Sequence, residues 1–229
     1  MMRIVQGYCL ADCHKQLLEL LIRTAYRTRD GKLIQFPGEN HQTTIEAKEM
    51  VVHCTTPTAG SMFVEELGFS QDFMDKYAHD LIYGSPAAHE YSYHERLQKW
   101  SNVAGVGAVN QINYVLHKLV SSPTTRRAVA TTWYPNVDEQ REDVPCLQLI
   151  HCDVREGKLN MKVVFRSEDM VLGAGPNMYG LVRLQETIAD HIDALVGTYT
   201  HVVFCPHVYV PRDVDVLDGI GIQIPGGWL

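Results

Sequence analysis

The chain has 229 residues, 45% of them hydrophobic and 21% charged, and a net charge of -7. That length and balance suit one domain spanning 1–229 around a sizeable core, and no apolar run approaches a membrane span. The acidic balance argues against a general nucleic-acid-binding surface, while a local basic pocket for one phosphate stays compatible with it.

The opening M-M-R-I-V-Q-G-Y-C lacks the pattern of a secretory signal, so a cytoplasmic protein is expected. The six cysteines form no disulfide framework, and a cytoplasmic setting keeps them reduced. Cys9-x-x-x-Cys13-His14 and His53-Cys54 lack the paired ligand spacing of structural zinc, so no metal is expected.

In chain order, residues 11–27 carry apolar side chains at helical intervals, with Asp12 as a cap, and predict a core-facing helix that Arg29-Asp30-Gly31-Lys32 ends. Glu46 to Cys54 reads as a strand and Thr55 to Ser61 as a turn. Met62 to Ile82 has a helical pattern with Phe63, Leu67, Phe73 and Tyr77 inward, while Glu65 and Glu66 read as solvated or capping groups. Gly105-Val106-Gly107 has two glycines at dinucleotide-loop spacing but no third, and reads as a loop. Gln111 to Leu119 is amphipathic, and Ala128 to Trp133 reads as a strand. Met178 to Leu195 predicts a long helix entered through Gly175-Pro176-Asn177, and Thr200 to Tyr209 a strand bearing His201, His207 and Tyr209. His201 reads as a satisfied structural histidine. The C-terminal I-P-G-G-W-L suits a closing flap or a frayed end.

The densest chemistry lies between Val144 and Asn177. Leu147 to Cys152 reads as a half-buried strand, Arg155-Glu156-Gly157-Lys158 as a hairpin turn and Leu159 to Phe165 as the return strand. Antiparallel pairing then brings Cys146 within reach of Arg166 and Ser167. A guanidinium beside a thiol favours the nucleophilic thiolate, and Arg with a Ser hydroxyl also makes an oxyanion site. The spacing by itself more readily suits a small buried core cysteine beside a solvated strand end.

Several stretches together resemble the thymidylate synthase family. These are N-Q-I-N-Y-V-L-H-K-L-V-S-S-P-T-T-R-R-A-V-A-T-T-W-Y-P, V-P-C, R-S-E-D, G-A-G-P-N and F-C-P-H-V-Y-V, in family order from about Tyr91 to Tyr209. The resemblance implies an α/β (α+β) fold, a mixed sheet flanked by helices, and a homodimer packed sheet to sheet. It implies that Cys146 attacks C6 of a pyrimidine nucleotide and that Arg166 and Ser167 hold its phosphate, with Arg126 and Arg127 reaching over from the second subunit. Asn177 would read the pyrimidine edge, favouring dUMP, and His207 and Tyr209 the sugar 3'-hydroxyl. Asp169 would contact the pterin of 5,10-methylenetetrahydrofolate or a related tetrahydropterin, and Tyr93 would help remove the C5 proton. For the glutamate that organises water the candidate is Glu66; for an N-terminal phosphate arginine, Arg27 and Arg29. Trp133 reads as packing.

The chain also departs from the family pattern. Leu147 stands where a His is usual, His151 where a Gln is expected, and Phe165 replaces the residue before Arg-Ser. The resemblance thus implies reductive methylation of dUMP to dTMP, with a 5-hydroxymethylase of dUMP or dCMP as the alternative fate of the same intermediate. A third reading, a non-catalytic nucleotide binder, leaves Cys146 without a purpose.

Overall fold

The computed structural model describes residues 3–38, 42–86, 91–100 and 107–225. The chain opens with β1 (Arg3–Gly7), α1 (Leu10–Thr24), β2 (Gln35–Pro37), β3 (Thr43–Glu46) and β4 (Met50–Cys54). Next come α2 (Gln71–Tyr83), α3 (Tyr93–Gln98), α4 (Gln111–Ser121), β5 (Ala128–Thr131) and the single turn α5 (Pro135–Asp138). The final part holds β6 (Leu147–Arg155), β7 (Lys158–Phe165), β8 (Glu168–Asp169), α6 (Ala174–His191), β9 (Leu195–Val203), β10 (Pro206–Val210) and α7 (Val214–Gly219).

Six strands form one mixed sheet in the order β1-β4-β9-β7-β6-β5, and β2-β3-β10-β8 form a smaller one. In the large sheet β1 runs parallel to β4 and β7 parallel to β9, while the other neighbours are antiparallel. Strand alternation builds the core directly. Met50, Val52, Cys54, Met161, Val163, Phe165, Tyr199 and Val203 are buried on the face covered by α1 and α6, whose Leu17, Leu18, Leu21, Leu181, Val182 and Ile188 meet them. Each such side chain contributes about 1.5–3 kcal/mol by leaving water. The opposite positions, Val51, His53, Lys162, Val164, Thr200 and Val202, stay half-buried.

The predicted hairpin is present. Glu156 (φ 52°) and Gly157 (φ 72°) both take positive φ, as a two-residue turn matched to strand twist requires, and Leu147 pairs with Phe165 at the far end.

Four expectations are corrected. Glu46 to Cys54 divides into β3 and β4 and Thr200 to Tyr209 into β9 and β10, each pair parting between the two sheets at one shared bend, where the Ala47 amide donates to the Pro206 carbonyl (3.2 Å). The alternation breaks at Lys48-Glu49 and at Phe204-Cys205, where two consecutive side chains leave the core, and resumes at Met50 and Pro206. Met62 to Ile82 is not one helix: a short 3-10 turn (Glu65–Leu67) ends at Gly68 (φ 91°), and the Ser70 side chain caps a fresh start by accepting from the Phe73 amide. Phe73 is consequently 48% exposed and stacked on Phe69, not inward. Finally, α6 starts at Ala174, four residues before the predicted helix, so Gly175, Pro176 and Asn177 belong to its first turn. Proline is tolerated there because the first amides of a helix have no partner within it. Leu195, predicted to close that helix, instead opens β9 and is 69% exposed. Gly105, Val106 and 226–229 lie outside the described residues.

Candidate active site

Cys146 sits just before β6, where the Arg166 amide donates to its carbonyl (2.9 Å) at the end of the β6–β7 ladder. A register shift between Leu147 and Leu149 puts a bulge at Gln148, whose Nε2 donates to the Pro145 carbonyl (2.6 Å). Bulges re-aim a strand end, and this one sits beside the thiol.

Two cavities meet at Cys146. One, of about 500 Å³, is lined by Tyr77, Tyr91, Tyr93, Glu168, Asp169 and Asn177 among others. The second, of about 690 Å³, carries Glu46, Arg166, Ser167, His207, Tyr209 and Arg212. Asp143, Cys146 and Asp169 line both. A thiol at this junction can reach the reacting carbon of a molecule whose anionic end lies in the second cavity and whose ring enters the first.

The second cavity has the chemistry of an anion and sugar site. Arg166 donates through Nε to the Pro145 carbonyl (3.1 Å) and through Nη2 to that of Val144 (2.7 Å), which fixes the guanidinium plane beside Cys146. A guanidinium has five N–H donors, so others remain to meet a phosphate. Ser167 Oγ lies 3.3 Å from His207 Nδ1, and the His207 ring meets Tyr209 edge to face. Arg212 lies over the Tyr209 ring at 4.4 Å and donates to Asp169 (2.6 Å) and Asp213 (2.6 Å). Asp169 Oδ1 also accepts from the amides of Val171 and Leu172, so its carboxylate is held from both sides.

In the first cavity the Leu147 amide donates to the Tyr93 hydroxyl (3.3 Å), one residue beyond the thiol. Burial pushes the Tyr93 phenol well above its ordinary value, and burial followed by the Cys146 charge raises Tyr91 to about 12. Both phenols therefore stay protonated at neutral pH. Leu147 itself is fully buried among apolar neighbours. Asn177 is 7% exposed; its Nδ2 donates to Glu168 (2.8 Å) and its Oδ1 accepts from Tyr77 (2.5 Å).

The expected residues thus separate into two groups. Cys146, Tyr93, Arg166, Ser167, Asp169, Asn177, His207 and Tyr209 line the joined cavities. Glu66 does not: it lies on the 3-10 turn ahead of Gly68, 58% exposed at its side chain and paired with Lys15 (2.9 Å), so its carboxylate serves the surface. Arg126 and Arg127 are exposed just before β5 and line neither cavity. Arg27 and Arg29 are exposed too, with Arg27 closing its own loop onto the Gly31 carbonyl.

Sequence reasoning missed Glu168, Tyr77, Tyr91 and Arg212. Glu168 stands inside the R-S-E-D motif, and Tyr77 is on the inward face of a predicted helix, so each had a signal. Arg212 had none, because it follows β10 in a turn. Among the described residues no group of three or more His, Cys, Asp or Glu is arranged to hold a metal, and no helix is long and apolar enough to cross a membrane.

Residues 47–218 match the family model of thymidylate synthase. A protein of Methanocaldococcus jannaschii, provisionally named a thymidylate synthase, is 35% identical over 194 residues, covering 82% of this chain and 85% of its own. A Bacillus licheniformis thymidylate synthase is 32% identical over 133 residues, 58% of this chain and 46% of that one. The thermostable thymidylate synthase A of Bacillus subtilis shares the fold with a TM-score of 0.71 at 18% identity, over 93% of this chain and 84% of that chain. The match over most of the length, joined to a cysteine set between an arginine-serine pocket and an asparagine-tyrosine pocket, places the chain in the thymidylate synthase family.

Proposed function

We propose that the protein methylates dUMP to dTMP with a methylenetetrahydrofolate-type donor. The observation that carries this reading is the position of Cys146 where the Arg166-Ser167 cavity opens into the Asn177 cavity. With the phosphate on Arg166 and Ser167 and the sugar hydroxyl on His207 and Tyr209, the base enters the first cavity toward Asn177. Cys146 Sγ then bonds C6, and the ring electrons shift to C5, which attacks the one-carbon unit of the donor. A water held by the Tyr93 hydroxyl takes the C5 proton, and the electrons left behind form the exocyclic methylene as the bond to the pterin nitrogen breaks and that nitrogen is protonated. Hydride from the pterin reduces the exocyclic methylene, the Sγ–C6 bond breaks, and dTMP and the dihydropterin leave. Asp169, held by Arg212, is the anchor for the pterin.

The same reading makes the working unit a cytoplasmic homodimer. The half-buried sheet face through Val51, Val164 and Val202 is its interface, and Arg126 and Arg127 complete the partner's phosphate site.

The test is intact-protein mass after incubation with 5-fluoro-dUMP and methylenetetrahydrofolate. The expected result is a ternary adduct that is absent in Cys146→Ser. Unmodified protein under conditions where the nucleotide binds would sink the proposal.

A further inference from the structure

An asparagine amide is ambiguous as a base reader. With its N–H toward position 4 and its oxygen toward position 3 it matches uracil, and turned by 180° it matches cytosine equally well. Rejection of the wrong base therefore needs something that stops the amide from turning. Behind Asn177 stands such a group. Glu168 is 2% exposed, its Oε1 accepts from Asn177 Nδ2 (2.8 Å), and its Oε2 lies 2.7 Å from His201 Nε2. His201, stacked on Phe165 and bonded at Nδ1 to the Tyr199 hydroxyl (2.8 Å), is itself fully buried.

We propose that Glu168, braced by His201, locks the orientation of the Asn177 amide and so sets the preference for uracil over cytosine. This deepens the dUMP reading and rests on it. A carboxylate only accepts hydrogen bonds, so the amide nitrogen must face Glu168. Turning the amide would set its oxygen against the carboxylate and leave a buried acceptor pair without a proton between them. The Tyr77 hydroxyl, which donates to Asn177 Oδ1 (2.5 Å), cannot impose this polarity, because a hydroxyl can accept from the turned amide as readily as it donates now. One N–H and one oxygen lone pair of Asn177 remain for the base, and with dUMP as the substrate they meet O4 and N3–H respectively. Glu168 is on this account a positioning residue, acting on the base through Asn177.

The experiment is calorimetric titration of dUMP and dCMP, without donor, into the wild-type protein, Glu168→Gln and Tyr77→Phe. Gln has the same shape but can donate, so it tolerates the turned amide. The expected result is a gain in dCMP affinity of about tenfold or more in Glu168→Gln, so that the dCMP-to-dUMP ratio of Kd falls. In Tyr77→Phe both nucleotides weaken together and the ratio stays within about threefold. A gain for the wrong base is not what general damage to the pocket produces. If Glu168→Gln is poorly folded, Glu168→Asp, whose shorter carboxylate withdraws from the amide, should lower the ratio in the same direction. An unchanged ratio in a folded Glu168 variant that still binds dUMP overturns this inference alone, as does a loss of ratio in Tyr77→Phe equal to that in Glu168→Gln. Failure of the wild-type protein to bind dUMP overturns the functional reading with it.

Discussion

Arg96 and Asp138 form a bidentate ion pair with no exposed side-chain surface, Nη2 to Oδ1 at 2.7 Å and Nη1 to Oδ2 at 2.9 Å. The guanidinium also donates to the Thr132 carbonyl (3.2 Å) and lies over the Trp100 ring at 4.3 Å. Thr132 in turn donates through its hydroxyl to the Leu147 carbonyl, so the pair ties α3, which carries Tyr93, to the strand that follows Cys146. Asp138→Asn keeps the shape, removes the charge and leaves a buried cation with neutral partners. Breaking a buried pair in this way costs about 3–5 kcal/mol, which for a chain of this size lowers Tm by roughly 6–20 °C. The double change Arg96→Met with Asp138→Leu removes both charges and should recover to within about 2 kcal/mol of the parent. Burial opposes the Asp138 charge, but hydrogen bonds from Arg96 and from the Tyr134 amide outweigh it and hold the carboxyl below its ordinary value. Its contribution is therefore present above the unfolded value of about 3.9 and is lost as pH falls through the lower folded value. Urea unfolding followed by tryptophan fluorescence, at pH 7 and in steps down to acid, reads both. A loss below about 1 kcal/mol at pH 7 in Asp138→Asn, or a gap to the parent that widens in acid, would refute the reasoning.

Arg166→Ala should weaken dUMP by about 1.5–3 kcal/mol, or roughly tenfold to a hundredfold, and bring its Kd close to that of deoxyuridine, as titration of both ligands would show. A Cβ at Gly173 would lie 2.8 Å from the Asp169 carbonyl and 3.5 Å from its Cβ, so Gly173→Ala should raise KM for the pterin donor more than KM for dUMP. At Gly197 a Cβ would fall 2.4 Å from Asn160 Oδ1 and 2.9 Å from the Leu159 carbonyl, and Gly197→Ala should cost about 1–3 kcal/mol in denaturant unfolding without changing the dUMP-to-dCMP ratio. Arg212→Ala frees Asp169 from its ion pair and uncovers the Tyr209 ring, so it should raise the donor KM severalfold and weaken dUMP binding as well.

The hairpin at Glu156-Gly157 was legible because turn chemistry and strand alternation agree there, and with it came the approach of Arg166 to Cys146. The division of the sheet was not: the alternation breaks at Lys48-Glu49 and at Phe204-Cys205 but resumes at Met50 and Pro206, and so short a gap does not separate a bend between two sheets from an irregularity within one strand. Gly68 and Ser70 did mark the break ahead of α2, but the apolar period on both sides concealed it. Glu66 misled for a related reason: a carboxylate at a plausible distance along the chain says nothing of the surface it occupies, and here it meets Lys15. The carboxylate that does enter the cavity, Glu168, sits between Ser167 and Asp169; its contact to Asn177 depends on how the chain turns into α6 and its contact to His201 on the pairing of distant strands, neither of which residue spacing encodes.

The most direct test of the account is the mass of the nucleotide formed from dUMP with methylenetetrahydrofolate, followed together with dihydrofolate absorbance. The account predicts dTMP, with one dihydrofolate appearing for each product and neither formed by Cys146→Ser. A 5-hydroxymethylated nucleotide without dihydrofolate would mean that water captures the intermediate, and would contradict it.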